Sequence, residues 1–259
     1  MKKIKLTVSY DGTNYVGWQV QKNGTAVEAV INEALSRLLG EDITILGASR
    51  TDSGVHALGN TAVFETETRI PPEKICMALN QILPDDIKIV RSEEVPADFH
   101  PRYHAKTKTY RYRIINCCFS VPTERLYADY VYYELDVEKM RKGAEYLVGE
   151  HDFIAFSTAG GQQKTSVRRI DSIEIETRPL SDVNPSCRYE PKEITITVTG
   201  NGFLYNMVRI IAGTLEKVGM GVYPPEHVKE ILDSKDRLLS APKAKAAGLT
   251  LVKIDYESR

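Results

Sequence analysis

Lys108-Thr109-Tyr110-Arg111-Tyr112-Arg113-Ile114-Ile115 alternates like a β-strand and marks the place where the chain changes character. Between Phe99 and Thr123 the basic residues Arg102, Lys106, Lys108, Arg111 and Arg113 stand with no Asp or Glu among them. Tyr103, Tyr110 and Tyr112 are interleaved with them. On both sides of this stretch the pattern is strand–helix. We place the boundary between two halves near residue 104, giving an N-terminal half over 1–104 and a C-terminal half over 105–259.

Working back from it, Ile4, Leu6, Val8 and Tyr10 alternate with polar residues, the period of a half-buried strand. Asp11-Gly12 breaks that strand as a turn. Thr25-Ala26-Val27-Glu28 has capping-box spacing and opens a helix. Val27, Val30, Ile31, Ala34, Leu35 and Leu38 form its apolar face, and Gly40 ends it. Ile43 to Ala48 reads as a short strand leading into a polar loop, and Thr61 to Glu65 as the next strand. Pro71-Pro72-Glu73 opens a second helix that ends before Pro84. A strand follows over Ile87 to Val95.

Working forward, helices are expected over Val137–Val148 and Phe203–Val218, with a short one after Pro224-Pro225. Strands are expected over Val167–Glu176, Glu193–Val198 and Leu249–Tyr256. Arg178 to Pro191 reads as a long surface loop. At about 100° per residue, Tyr205, Asn206, Arg209, Gly213 and Glu216 share one helix face. Phe203, Leu204, Met207, Ile211, Leu215 and Val218 fall on the opposite, core side.

The 259 residues are 42% hydrophobic and 27% charged, the balance of a chain that buries a core. The net charge of -1 does not by itself suggest a nucleic-acid partner, because binding follows where charge sits. Cys76, Cys117, Cys118 and Cys187 make no CxxC pair, which argues against zinc or a secreted disulfide framework. Reduced thiols and a cytoplasmic location are expected. No signal peptide, transmembrane helix or membrane association is expected.

Arg50-Thr51-Asp52-Ser53-Gly54-Val55-His56 carries the chemistry. Gly54 permits backbone angles that let a loop aim a carboxylate. Taken alone, the run fits an ordinary turn with an Asx bond and a surface Arg better than it fits a site. Ser53 is not in a G-x-S-x-G elbow, so a serine hydrolase is disfavoured. Asp52 and His56 lack a third ligand for a metal. Gly200-Asn201-Gly202 lacks the third glycine of a dinucleotide loop, since Tyr205 stands there. The basic, tyrosine-bearing stretch suits phosphates and unpaired bases, with stacking worth roughly 1–3 kcal/mol per base, and suits equally an ordinary exposed sheet whose tyrosines pack on lysine stems. The helix face carrying Arg209 reads by itself as a solvated polar face, but Tyr, Asn, Gly and a single Arg are unusual surface choices, and such a face could deliver Arg209 to a buried carboxylate.

Several ordered motifs together resemble the tRNA pseudouridine synthase A family. They are Tyr10-Asp11-Gly12-Thr13-Asn14-Tyr15-Val16-Gly17-Trp18-Gln19, the Arg50–His56 run, Phe99-His100-Pro101-Arg102, Lys108-Thr109-Tyr110-Arg111-Tyr112, His151-Asp152-Phe153 and Gly202-Phe203-Leu204-Tyr205-Asn206-Met207-Val208-Arg209. The resemblance implies an α/β fold of the α+β type: two related halves around a mixed, mainly antiparallel sheet flanked by helices, with the active-site cleft between the halves. It implies an isomerase that converts uridine to pseudouridine at positions 38, 39 and 40 of the tRNA anticodon stem-loop. It also implies a homodimer without metal or organic cofactor. Asp52 corresponds to the catalytic carboxylate, acting as nucleophile or base after base flipping. Tyr110 corresponds to the tyrosine against the target base, Arg209 to the cation that pairs with the carboxylate, and Arg50 to an arginine that displaces the base. The family usually has Thr-Ala-Pro-Ala-x-Gly-Leu near its C-terminus. Here Lys243-Ala244-Lys245-Ala246-Ala247-Gly248-Leu249 replaces Thr and Pro by lysines, which is expected to alter loop rigidity or RNA contact. The rival readings are an RNA-binding module without catalysis, a synthase of other site specificity, and a nucleoside glycosidase, which would need a second carboxylate.

Overall fold

The computed structural model describes residues 1–160, 165–181 and 187–256. In chain order the regular elements are β1 (Lys2–Tyr10), α1 (Val27–Leu39), β2 (Leu46–Gly47), β3 (His56–Thr66), α2 (Ile75–Asn80), β4 (Ile87–Val95), β5 (Ala105–Asn116), β6 (Asp129–Val131), α3 (Val137–Glu145), β7 (Gly149–Asp152), β8 (Val167–Pro179), β9 (Lys192–Gly200), α4 (Met207–Gly219), α5 (His227–Ser234) and β10 (Leu249–Tyr256). The class is α+β with mixed strand pairing. Two compact units divide the chain: Met1–Lys108 with the last strand from Thr250, and Thr109–Leu249.

In the first unit the strand order is β4-β1-β3-β10. β1 runs antiparallel to both β3 and β4, β2 lies antiparallel along β3, and β10 joins β3 in parallel. Ile4, Leu6, Val8 and Tyr10 are buried in strict alternation, as the period-two pattern requires. α1 buries Val27, Ile31, Ala34 and Leu35, each side chain larger than alanine contributing roughly 1.5–3 kcal/mol of apolar burial. Gly40 ends α1 in the left-handed conformation, φ 69°, and its N–H bonds back to the Ser36 carbonyl at 2.9 Å.

The start of α1 differs from expectation. Ala26 is the N-cap, and no side chain caps the helix. The Val27 and Glu28 N–H groups donate instead to the Gly17 and Trp18 carbonyls, at 3.2 and 3.0 Å. Glu28 accepts from the Val20 N–H at 3.1 Å rather than closing a box with Thr25. Main-chain carbonyls from a distant segment thus satisfy the donors that local side chains were expected to take. Two other elements are shorter than expected. Only Leu46–Gly47 of the 43–48 run pairs as strand. The Pro71 helix begins as a 3-10 turn, Pro72–Lys74, before α2.

In the second unit the order is β5-β9-β8-β7, with β6 parallel to β5. β9 buries Ile194, Ile196 and Val198 in alternation. α3 starts at the N-cap Asp136, whose carboxylate accepts from the Lys139 N–H, and it stops at Glu145, before the expected Val148. It lies against α4 and α5. A Cβ on Gly143 would come within 3.3 Å of Val228 and 3.4 Å of Leu215. β8 runs on to Pro179, and the Leu180 N–H bonds to the Pro191 carbonyl. The expected loop over 178–191 therefore loses its first two residues to β8, and its residues 182–186 lie outside the described ones.

Cysteine usage also differs from the expected reduced thiols. Cys118 and Cys187 form a disulfide. Their Cα atoms are 5.5 Å apart, within the usual span of a bridge, although 69 residues separate them in sequence. Cys117 is buried and free, its sulfur 4.0 Å from Cys187 Sγ. No helix of the described residues is long and apolar enough to cross a membrane.

Candidate active site

The Asp52 loop is assembled from three separate segments of the first unit. Asp52 forms an isolated antiparallel bridge with Gly17. The Trp18 N–H donates to the Thr51 carbonyl at 3.1 Å, and the Gly54 N–H to the Tyr15 carbonyl at 3.3 Å. Tyr10 Oη and Thr51 Oγ1 are 2.7 Å apart, and Asn60 donates to the Ser49 carbonyl at 3.0 Å. Thr51, Val55 and His56 are buried, while Asp52 is half-buried and Arg50 and Ser53 are exposed. The residues that anchor the loop are buried, and Arg50, Asp52 and Ser53 keep part of their surface open to solvent.

Two glycines explain why the Tyr10–Gln19 run and the Arg50–His56 run occur together. A Cβ on Gly12 would lie 2.0 Å from the Val55 carbonyl oxygen, and one on Gly17 would lie 2.5 Å from that of Thr51. Only a hydrogen fits at either contact. His56 Nδ1 closes the base of the loop, 3.1 Å from the Gly12 N–H and 3.1 Å from Asp11 Oδ1. The ring nitrogen accepts from the first or donates to the second, according to its proton. His56 is therefore an anchor of the loop. Ser53 donates to the Tyr15 carbonyl at 3.2 Å, a structural bond.

In the second unit, Tyr110 is buried on β5, its ring edge-on to Phe203 at 5.1 Å between centroids. Phe203 lies just before α4, so this contact ties the strand of Tyr110 to the helix of Arg209. Arg209 is 8% exposed. Its Nε donates to the Ala244 carbonyl at 2.8 Å and its Nη1 to Asn206 Oδ1 at 3.2 Å. Asn206 holds the left-handed conformation, φ 60°, and donates to Thr158 Oγ1 at 3.1 Å. That backbone turn makes the helix begin at Met207 rather than Phe203. Asparagine is among the few side chains that adopt it readily.

The face of α4 that pattern reading set opposite the core is packed as well. Gly213 is buried, and a Cβ there would lie 2.3 Å from the Pro242 carbonyl oxygen. Residues 242–244 thus lie directly on this face. Glu216 reaches the surface with part of its side chain, but its Oε1 is closed off from solvent and has no hydrogen-bond partner among the described residues. Burial, reinforced by the Asp129 charge, pushes its carboxyl up to about 8.

The basic stretch separates into two kinds of residue. Tyr112 is wholly buried and donates to Asp129 Oδ2 at 2.8 Å, so it does not offer a face to a base. Arg113 bonds to Glu193 at 2.6 Å and to Glu124 at 2.9 Å, so its charge is spent within the protein. Its guanidinium holds the Glu193 carboxyl below the usual carboxylate range. Lys108 donates to the Ala48 carbonyl at 3.0 Å. Tyr103, stacked on His100 at 4.1 Å, is the exposed tyrosine of the stretch. The acids that neutralise Arg113 lie 11 and 80 residues away, where no local reading finds them.

Asp129, Asn206 and Lys245 carry structural weight that the sequence reading did not assign. Asn206 had a signal in its residue type. Lys245 had one in the departure at residues 243–245. Asp129 had none.

Comparison with known proteins adds a further finding. The sequence profile of the family described as tRNA pseudouridine synthase matches residues 6–104 and 144–257. The chain is 50% identical over 256 residues to the tRNA pseudouridine synthase A of Ruminiclostridium cellulolyticum, covering 99% of this chain and 100% of that protein. It is 46% identical to the tRNA pseudouridine synthase A 2 of Clostridium perfringens and 45% identical to the tRNA pseudouridine synthase A of a Thermoanaerobacter species, with the same coverage of each chain.

Proposed function

The chain belongs to the tRNA pseudouridine synthase family, and from that premise we propose that it isomerises uridine to pseudouridine at positions 38, 39 and 40 of the tRNA anticodon stem-loop, with Asp52 as the catalytic carboxylate. The observation that carries the assignment of Asp52 is the construction of its loop. Buried Thr51 before it, buried Val55 and His56 after it, and two glycine contacts hold the backbone, leaving a half-buried carboxylate at its edge. A turn that merely reversed the chain would not need this support.

The reaction breaks the bond from ribose C1′ to uracil N1, turns the base, and joins C5 to C1′. The C5 proton leaves and N1 gains one, so no redox partner enters. The base must first leave its stack, since its reacting atoms are inaccessible there. Arg50, exposed beside Asp52, has the flat guanidinium suited to take the vacated space. Tyr110 is proposed to lie against the flipped base, and Arg209 to supply the cation of the reaction. Asp52 acts ionised, as nucleophile or base near the ribose. The protein is proposed to work as a homodimer in the cytoplasm, where its tRNA substrate is.

The test is to map pseudouridine in tRNA incubated with the purified protein. New pseudouridine at 38, 39 or 40 is expected. Modification confined to other positions would overturn the site specificity, and none at all would overturn the activity.

A further inference from the structure

Residues 242–248 form a strap pressed between α4 and β5. A Cβ on Gly213 would strike the Pro242 carbonyl oxygen at 2.3 Å, and one on Gly248 would strike the Tyr112 ring at 2.7 Å. At its centre lies one peptide unit gripped at both ends. Its oxygen, the Ala244 carbonyl, accepts from Arg209 Nε at 2.8 Å. Its N–H, that of Lys245, donates to Asp129 Oδ2 at 3.2 Å. The Ala244 N–H donates in turn to the Arg209 carbonyl at 3.0 Å. A peptide is planar and stiff, so rotating its N–H end also moves its oxygen.

Asp129 is the fixed point of this arrangement. It is 4% exposed and sits at the start of β6. Its Oδ1 accepts from the Tyr130 N–H at 2.7 Å and pairs with Lys245 Nζ at 2.8 Å. Its Oδ2 accepts from Tyr112 Oη at 2.8 Å as well as from the Lys245 N–H. Lys245 thus grips one carboxylate with both its main chain and its ammonium. A proline at 245 would offer neither donor.

We propose that Lys245 is a positioning residue for Arg209: its two-point grip on Asp129 sets the Ala244–Lys245 peptide, and that peptide's oxygen fixes the direction of the Arg209 guanidinium. The inference rests on the reading that Arg209 takes part in the reaction. Its geometric part is measurable without that reading.

The test uses the full chain carrying Lys245→Pro, Lys245→Met or Lys245→Arg, alone and with Arg209→Leu. Lys245 has φ -61°, so proline fits its backbone and removes both donors, while methionine removes only the charge. Two quantities are read: solvent exchange of the Arg209 Nε–H by NMR, and kcat with KM for tRNA. In Lys245→Pro we expect Nε–H exchange to quicken and kcat to fall, each about tenfold, with KM within about twofold. Lys245→Met should be intermediate and Lys245→Arg close to the parent. In the Arg209→Leu background, Lys245→Pro should lower kcat no further. Unchanged Nε–H exchange in Lys245→Pro, or an equal fall of kcat in both backgrounds, would overturn the proposal. Altered exchange with full activity of Arg209→Leu would leave the geometry standing and overturn the role of Arg209 instead. If Lys245→Pro fails to fold, the Lys245→Met and Lys245→Arg pair decides by the same readouts.

Discussion

At the scale of single residues, the site is organised around what cannot be enlarged or turned. Gly12 and Gly17 have no room for a Cβ against the loop of Asp52. Gly12→Ala must therefore displace Val55 and the carboxylate with it, and we expect kcat to fall by roughly 100-fold, since misplacement of about 1 Å has that effect. A fully active Gly12→Ala protein would show that the loop is not held from this side. Tyr110 gives a second prediction. Tyr110→Phe keeps the ring and its edge contact with Phe203, so it should lose less activity than Tyr110→Ala in steady-state assays. Equal losses would make the hydroxyl the working group. The sequence singled out Asp52, Arg50, Tyr110 and Arg209 because the motifs around them are local. It could not separate Tyr112 and Arg113 from Tyr110. Their partners, Asp129 and Glu193 on other strands and Glu124 in a 3-10 turn, are set by the fold and not by neighbours along the chain.

At the scale of elements, α4 is the informative one. Helical periodicity placed Arg209, Gly213 and Glu216 on one face, as they are, but a helix buried on that face too cannot be told from an amphipathic one by polarity alone. The strap over residues 242–248 is what makes the difference. Gly213→Ala should destabilise the protein by about 1–3 kcal/mol, read as a lowered denaturation midpoint, because Pro242 must move. Glu216 gives the pH dependence. In the unfolded chain its carboxyl titrates near 4.5, whereas burial holds it up to about 8 in the folded protein. The unfolded chain thus releases the proton first, and folding is progressively disfavoured as pH rises from about 4.5 to about 8. Asp129 adds to this effect, and Lys245 and Lys217 oppose it. Glu216→Gln removes it, so the variant should be more stable than the parent at pH 8, with the gap closing towards pH 4. Parallel stability curves for the two proteins would contradict this. The capping box failed for a related reason: Thr25 and Glu28 have the right spacing, but the Gly17 and Trp18 carbonyls reach the helix start first.

At the scale of the whole molecule, the order of strands and helices was readable because alternation and periodicity are local. The parallel return of β10 to β3 was not, because nothing near Leu249 encodes its partner. The Cys118–Cys187 bridge was equally hidden. Closing a long loop, it should stabilise the chain by about 2–4 kcal/mol, so adding reductant should lower the melting temperature. An unchanged melting temperature would mean the bridge contributes nothing to folding. Membership of the tRNA pseudouridine synthase family rests on a profile matching most of the chain and on full-length relatives. The role proposed for Asp52 rests on a loop built to hold it. Both meet in one measurement: pseudouridine mapping of tRNA treated with the parent protein and with Asp52→Asn, alongside tRNA affinity. Pseudouridine is expected at 38, 39 or 40 with the parent and not with Asp52→Asn, with tRNA affinities that agree within a few-fold. Pseudouridine formed by Asp52→Asn at the parent's rate would contradict this.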